Sequence, residues 1–177
     1  MNAELDLCAQ PRDAHGIDWS ELYADQLPRV YNFMRYRVGD GPVAEDLTAA
    51  TFEKAWRGRK RYRRDKAAFS TWLFTIARNV AIDYFRRQRP TVPLESISQR
   101  PDGVSVEETV QRRADLDRLG ALLAGLSSRE RDVISLKYGA GLTNRSIASL
   151  TGLGESNVGT ILYRVVRRLR EQWKSEL

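Results

Sequence analysis

Residues 142–170, LTNRSIASLTGLGESNVGTILYRVVRRLR, carry side chains whose types and spacing suit reading of duplex DNA. An arginine can bridge O6 and N7 of guanine, an asparagine can bridge adenine, and a threonine methyl can touch thymine. Ser156, Asn157, Gly159, Thr160, Tyr163 and Arg164 stand at the start of one helical segment, where they would meet base edges and phosphates. Arg167, Arg168 and Arg170 follow, placed to neutralise phosphate or to solvate a helix end where the dipole favours cations. Such residues need a tight helix pair behind them. Ala148 is the small contact residue of that pair, and Gly152 follows it by four positions at the turn. Ile147, Leu153, Val158 and Ile161 supply the inward apolar contacts, with Thr143 and Ser156 as the expected N-caps. The spacing is that of a helix-turn-helix, which offers its second helix to a major groove. Two packed helices with no ligand would share it, and the arginine run argues against that reading.

A second constellation lies upstream. The loop RGRKRYRRDK is followed by Phe69, Trp72 and Phe74, and it contains Tyr62. Dense cations attract phosphates and aromatic faces hold unstacked bases, which is how single strands are bound without a groove. Trp72 and Phe69 fit an ordinary aromatic core equally well, whereas Tyr62 is the least explained by burial. Asn79, in the frame set by Trp72, Ile76 and Val80, points away from the deep core beside Arg78 and Asp83, where its amide could meet a base edge.

Charge is concentrated in this stretch. The whole chain of 177 residues carries 29 Lys+Arg against 23 Asp+Glu, a net +6. Between Arg57 and Arg89 eleven basic residues face only Asp65 and Asp83, so the remainder is net acidic. Enzymatic constellations are missing. His15 is the one histidine and sits in an N-terminal segment flanked by Pro and Gly, and no phosphate loop, nucleophile elbow or HExxH occurs. Cys8 is the single cysteine, which excludes an intramolecular disulfide and a cysteine-based zinc site. No cofactor or metal is expected. The N-terminus lacks a signal-peptide pattern and no apolar run reaches the ~18 residues of a membrane span, so a soluble, cytoplasmic protein is expected.

Helical periodicity dominates, and the expected fold is all-α: two small helical domains joined by a flexible linker. A helix over 19–38 has Leu22, Leu27, Val30, Phe33, Met34 and Val38 on one face, with Pro28 inside and Gly39 as its stop. Pro42 opens a second helix to about Trp56, with Val43, Leu47, Ala50, Phe52 and Trp56 as its apolar side. A third, about 70–89, buries Trp72, Leu73, Ile76, Val80 and Tyr84 and ends at Pro90. The Pro- and Gly-containing stretch that follows reads as the linker. Helices are expected over about 105–124 and 129–138, the second entered through a capping box of Ser127 with Glu130 and stopped by Gly139.

The order of parts resembles a bacterial extracytoplasmic-function sigma factor, the minimal two-domain branch of the sigma-70 family. The residues that carry the likeness are VYNFMRYRVGDGPVAEDLTAATFEKAW, FSTWLFTIARNVAIDYFRRQRP and GLSSRERDVISLKYGAGLTNRSIASLTGLGESNVGTILYRVVRRLRE. The resemblance implies a tail at 1–18, region 2 at 19–89, a linker at 90–111 and region 4 at 112–177. It implies a dissociable subunit that directs core RNA polymerase to promoters and assists melting. Its partners would be the clamp and flap of polymerase, promoter DNA and an anti-sigma factor, without membrane insertion. Glu45, Asp46 and Glu53 are then the polymerase-contact candidates. Relatives commonly carry a polar pair where this chain has Ala49 and Ala50. Minus-10 recognition would fall to Arg61, Tyr62, Arg63, Arg64, Phe69, Arg78, Asn79, Asp83 and Arg86, with Asn79 lining a pocket for an extruded base. Minus-35 recognition would fall to Ser156, Asn157, Gly159, Thr160, Tyr163, Arg164 and Arg167. Many relatives have Arg at the place of Gly159, which shifts the expected readout toward Thr160, Tyr163 and Arg164. A helix-turn-helix regulator that is no sigma subunit, dimeric on palindromic DNA, is the competing reading. A protein-binding adaptor that turns its basic patches to an acidic partner is the third.

Overall fold

Each lobe is built from short helices whose boundaries are set by side chains near their ends. The structure, a computed structural model, describes residues 19–63, 65–88, 115 and 118–175. The expected tail at 1–18, the expected linker at 90–111 and Arg64 lie outside the described residues. All regular structure among the described residues is helical, as the periodicity requires.

Helix α1 (Trp19–Val38) runs through Pro28 and buries Val30, Phe33, Met34 and Arg37 at three- and four-residue steps. It stops where Gly39 takes φ +81°, a conformation costly for a residue with a Cβ. Asp40 then caps α2 (Gly41–Gly58), its carboxylate accepting from the Val43 amide at 2.9 Å, with Pro42 in the first turn. The buried face of α2 differs from the expected one: Ala44, Thr48, Thr51 and Ala55 are inside. Their small size admits close neighbours. The two threonine hydroxyls donate to the Ala44 and Leu47 carbonyls, each at 2.7 Å, so their burial leaves no donor unpaired. The larger residues flank this stripe, with Leu47, Ala50 and Phe52 half-buried and Trp56 42% exposed. After a 3-10 turn at Arg59–Arg61, α3 (Phe69–Arg87) buries Leu73, Phe74, Ala77, Val80 and Ala81. Trp72 and Ile76, expected in the deep core, are half-buried at its edge. Phe74 takes their place and meets Phe33 edge-on at 5.8 Å.

In the second lobe, residues 118–124 form the end of α4. The capping box is present at α5 (Ser128–Ile134), whose N-cap Ser127 and Glu130 serve each other's backbone amides. The helix continues as a π-helical turn, Ser135–Gly139, rather than as α-helix to Tyr138. Helix α6 (Asn144–Thr151) is capped by Thr143 and ended by Gly152 at φ +72°. Helix α7 (Glu155–Ser175) buries Val158, Ile161, Leu162 and Val165. Ser156 is a correction. It lies inside the first turn of α7, whose early amide, that of Val158, donates to the Gly154 carbonyl instead.

The two helical units pack directly on each other. One continuous set of buried residues runs from Val30, Phe33 and Phe74 to Val133, Leu136 and Ala140. Gly139 lacks a Cβ for a reason unconnected with helix stopping: an added Cβ would lie 2.8 Å from the Phe33 backbone. Around this contact Arg29 Nε donates to the Ala140 carbonyl at 2.9 Å. Arg78 Nε donates to Asp132 at 2.6 Å, and Arg78 Nη1 donates to the Leu150 carbonyl at 3.2 Å. Arg37 Nε stands 3.5 Å from the other Asp132 oxygen, close enough for charge attraction yet outside hydrogen-bond geometry. Burial pushes the Arg37 pKa down, and Asp132 opposes that shift.

Candidate nucleic-acid interface

The recognition-helix candidates fall into one exposed band. Ser156, Asn157, Thr160, Tyr163, Arg164 and Arg167 are all exposed on the first four turns of α7, and Gly159 is half-buried among them. Tyr163 is 71% exposed, far more than packing would leave an aromatic ring. The opposite face, Val158, Ile161, Leu162 and Val165, is buried against the lobe, so the helical period separates anchor from display. A Cβ at Gly159 would have Asn144 Nδ2 at 3.8 Å as its nearest neighbour, an ordinary contact. Thr160 Oγ1 donates to the Ser156 carbonyl at 3.0 Å, leaving its methyl to the surface. Arg167 pairs with Glu171 one turn on at 3.5 Å. Arg164 reaches a different partner, Glu130 of α5, at 3.7 Å, and Arg168 reaches the same carboxylate at 3.1 Å.

The upstream constellation divides into an exposed rim and a packed interior. Arg61 and Arg63 are exposed, and Arg63 pairs with Asp65 at 3.1 Å, which holds the Asp65 carboxyl below its ordinary pKa through that hydrogen bond. Tyr62 corrects the expectation. It is 5% exposed, its ring 5.5 Å from Phe69 and 5.2 Å from Trp72, with its hydroxyl donating to the Ala67 carbonyl at 3.2 Å. Three aromatics in contact secure the loop where sequence alone left one ring unexplained. Phe74 is fully buried and out of reach of any base. Asn79 is exposed on α3, as its place in the helical frame implied. Asp83 is engaged by Lys54 at 3.7 Å and by Arg86 at 3.2 Å. Arg78 is committed to Asp132 and to the Leu150 carbonyl of the other lobe, so its guanidinium is not presented outward beside Asn79.

Glu45, Asp46 and Glu53 are exposed along α2. Glu53 pairs with Arg57 at 2.6 Å, whereas Glu45 lines an open groove between α1 and α2 with Ala49, Tyr23, Leu27 and Tyr31. Tyr23 also lines a second, apolar pocket of about 410 Å³ with Trp19, Phe52, Trp56 and Phe69. The period of α2 signalled its apolar residues, but not that they would line a pocket; that follows from the small-residue stripe turning inward. Asp132 was missed because a lone aspartate in a helix pattern reads as surface, and only the partner lobe buries it. Among the described residues no group of His, Cys, Asp and Glu could hold a metal ion, and no helix is long and apolar enough to cross a membrane.

Two family models match successive parts of the chain. The family described as Sigma-70 region 2 matches residues 22–91, and that described as Sigma-70, region 4 matches residues 116–169. The ECF RNA polymerase sigma factor SigL of Mycobacterium tuberculosis is 33% identical over 153 residues, covering 84% of this chain and 85% of SigL. The ECF RNA polymerase sigma factor BldN of Streptomyces coelicolor is 30% identical over 173 residues, 93% of this chain and 64% of BldN, so the chain spans just under two thirds of that relative. Among solved structures, the sigma factor RpoE of Bartonella quintana, in complex with the anti-sigma factor NepR, superposes with a TM-score of 0.71 at 24% identity, covering 89% of this chain and 97% of that one.

Proposed function

The chain belongs to the sigma-70 family of RNA polymerase sigma factors, in its extracytoplasmic-function branch, and on that premise we propose how its parts share the work of promoter recognition. Residues 19–89 act as region 2 and 112–177 as region 4, with 90–111 connecting them. The exposed band of α7 carries the reading: polar and cationic side chains on one face of a helix whose other face is anchored. Thr160, Tyr163 and Arg164 read minus-35 base edges, while Ser156, Asn157 and Arg167 supply positioning contacts. Gly159, half-buried with room for a Cβ, adds no side chain to the readout.

In region 2, Asn79 receives an extruded minus-10 base on the helix whose start carries Phe69 and Trp72 of the aromatic cluster with Tyr62. Arg61, Arg63, Arg64 and Arg86 attract the displaced strand, and Asp83 fixes Arg86. Tyr62 serves as a wall rather than as a stacking face. Arg78 joins this set only when its bridge to Asp132 opens, so promoter engagement separates α3 from α5 and α6. Glu45, Asp46 and Glu53 present α2 to the clamp of core polymerase, with the groove beside Ala49 receiving an apolar flank, and the flap positions region 4. Sigma factors are initiation factors without catalysis of their own, and the protein works in the cytoplasm, where an anti-sigma factor holds it in reserve. Run-off transcription with core polymerase tests the reading: initiation at a promoter that core enzyme ignores is expected. Stable dimers on palindromic DNA with no initiation would overturn it.

A further inference from the structure

Glu130 has two attachments that normally belong to different residues. Its Oε2 accepts from the Ser127 amide at 3.0 Å and the Ser127 hydroxyl at 2.8 Å, completing the cap of α5. The same oxygen accepts from Arg168 at 3.1 Å, and Oε1 faces the Arg164 guanidinium at 3.7 Å. Arg164 and Arg168 are one turn apart on α7, so a single carboxylate holds two successive cations of one helical stripe. The carboxylate side chain is 12% exposed, against 61% for Arg164 and 41% for Arg168. The anion is therefore fixed inside while the cations project from it. Burial by itself would push the Glu130 carboxyl up, but the hydrogen bonds from Ser127 and Arg168 outweigh that and hold it below its ordinary pKa. The bracket is thus intact at neutral pH.

We propose that Glu130 is a positioning residue for minus-35 recognition: it restrains the guanidinium of Arg164, with Arg168 as its second anchor, so that Arg164 meets a base edge in one orientation. The inference rests on the reading of α7 as the duplex-reading helix. A free arginine loses rotamer freedom on forming a directed contact, and an anchored one has lost part of it beforehand. Without the carboxylate, two mobile cations would settle on phosphates, which strengthens binding to any sequence and weakens choice among them.

The test uses the full-length chain with core polymerase and a duplex selected by wild-type holoenzyme from a randomised pool, together with its single-base variants. Glu130→Gln keeps the capping box, since glutamine serves at that position, but removes the charge. Discrimination at the base pair read by Arg164 should fall about tenfold, within the range of one bidentate base contact. The slope of log affinity against log salt on unrelated DNA should steepen by about one to two. In an Arg164→Ala background Glu130→Gln should cause no further loss at that base pair. Ser127→Ala removes the hydroxyl from the cap and from Glu130 Oε2 but leaves the carboxylate its charge, the Ser127 amide and both arginines, so it should lower the melting temperature and cost far less discrimination than Glu130→Gln. A Glu130→Gln protein that melts earlier yet keeps its discrimination and salt slope would make Glu130 a structural staple and overturn the proposal. So would an equal loss of discrimination in the Arg164→Ala background. Absence of any base preference in the wild type would instead remove the reading of α7 itself.

Discussion

At the scale of single residues, Asn79 and Gly159 are the sharpest tests of the two DNA assignments. Asn79 is exposed on α3 with no packing role, so Asn79→Ala should leave folding intact, alanine being the better helix former. Duplex binding should change little while open-complex formation falls, because extruding a base costs a few kcal/mol that the pocket would no longer offset. Permanganate reactivity of unpaired minus-10 thymines measures this directly, and equal reactivity at equal occupancy would make Asn79 a surface residue. Gly159 has room for a side chain, its nearest neighbour being 3.8 Å from a built Cβ. Gly159→Arg should stabilise α7 by roughly 0.5–1 kcal/mol through helix propensity. It should also tighten duplex binding and steepen the salt slope by about one; unchanged salt dependence would place this position away from DNA, and a lower melting temperature would show that the side chain strains α7.

At the scale of elements, α2 shows how a helix can be recognised and its faces still be misassigned. Its limits were legible from Pro42 and the acidic and apolar alternation. The inward stripe was not, because Ala and Thr carry weak apolar signals and only close packing against α1 and α3 selects them. The consequence is functional: Ala49 is left to line the groove beside Glu45, and Phe52 and Trp56 to line the neighbouring apolar pocket. Asp46 is exposed with no structural task in that arrangement. Asp46→Lys should therefore leave the thermal melt within about 0.5 kcal/mol of wild type, while co-purification with core polymerase falls. Undiminished co-purification would move the docking surface off this face of α2.

At the scale of the whole molecule, the contact between the lobes is held by apolar surface and by one buried carboxylate. Asp132 is 5% exposed and faces Arg78 and Arg37 from α3 and α1. Asp132→Ala should destabilise the packed arrangement by about 3 kcal/mol, at the low end for a broken buried pair because Arg78 is partly open to water. Small-angle scattering and a thermal melt read the outcome: a larger radius of gyration or an earlier melt is expected. An unchanged profile in both would show that the Phe33–Gly139 contact suffices to hold the lobes.

The sequence by itself determined the three helices of the first lobe, the capping box at Ser127 and Glu130, the helix pair with its turn at Gly152 and the exposed band of α7. Each of these depends on neighbours within about a turn along the chain, and local periodicity and end chemistry record that range. The tertiary structure decided what depends on residues far apart in sequence. It buried Tyr62 under Phe69 and Trp72, turned Ala44 and Thr51 inward, and tied Arg78 to an aspartate 54 positions away. It also gave Glu130, already legible as a cap, two arginines 34 and 38 positions downstream. No pattern within a single helix specifies which charge another helix will bring to it, since the cost of burying a carboxylate is met only once the partner cations are packed beside it.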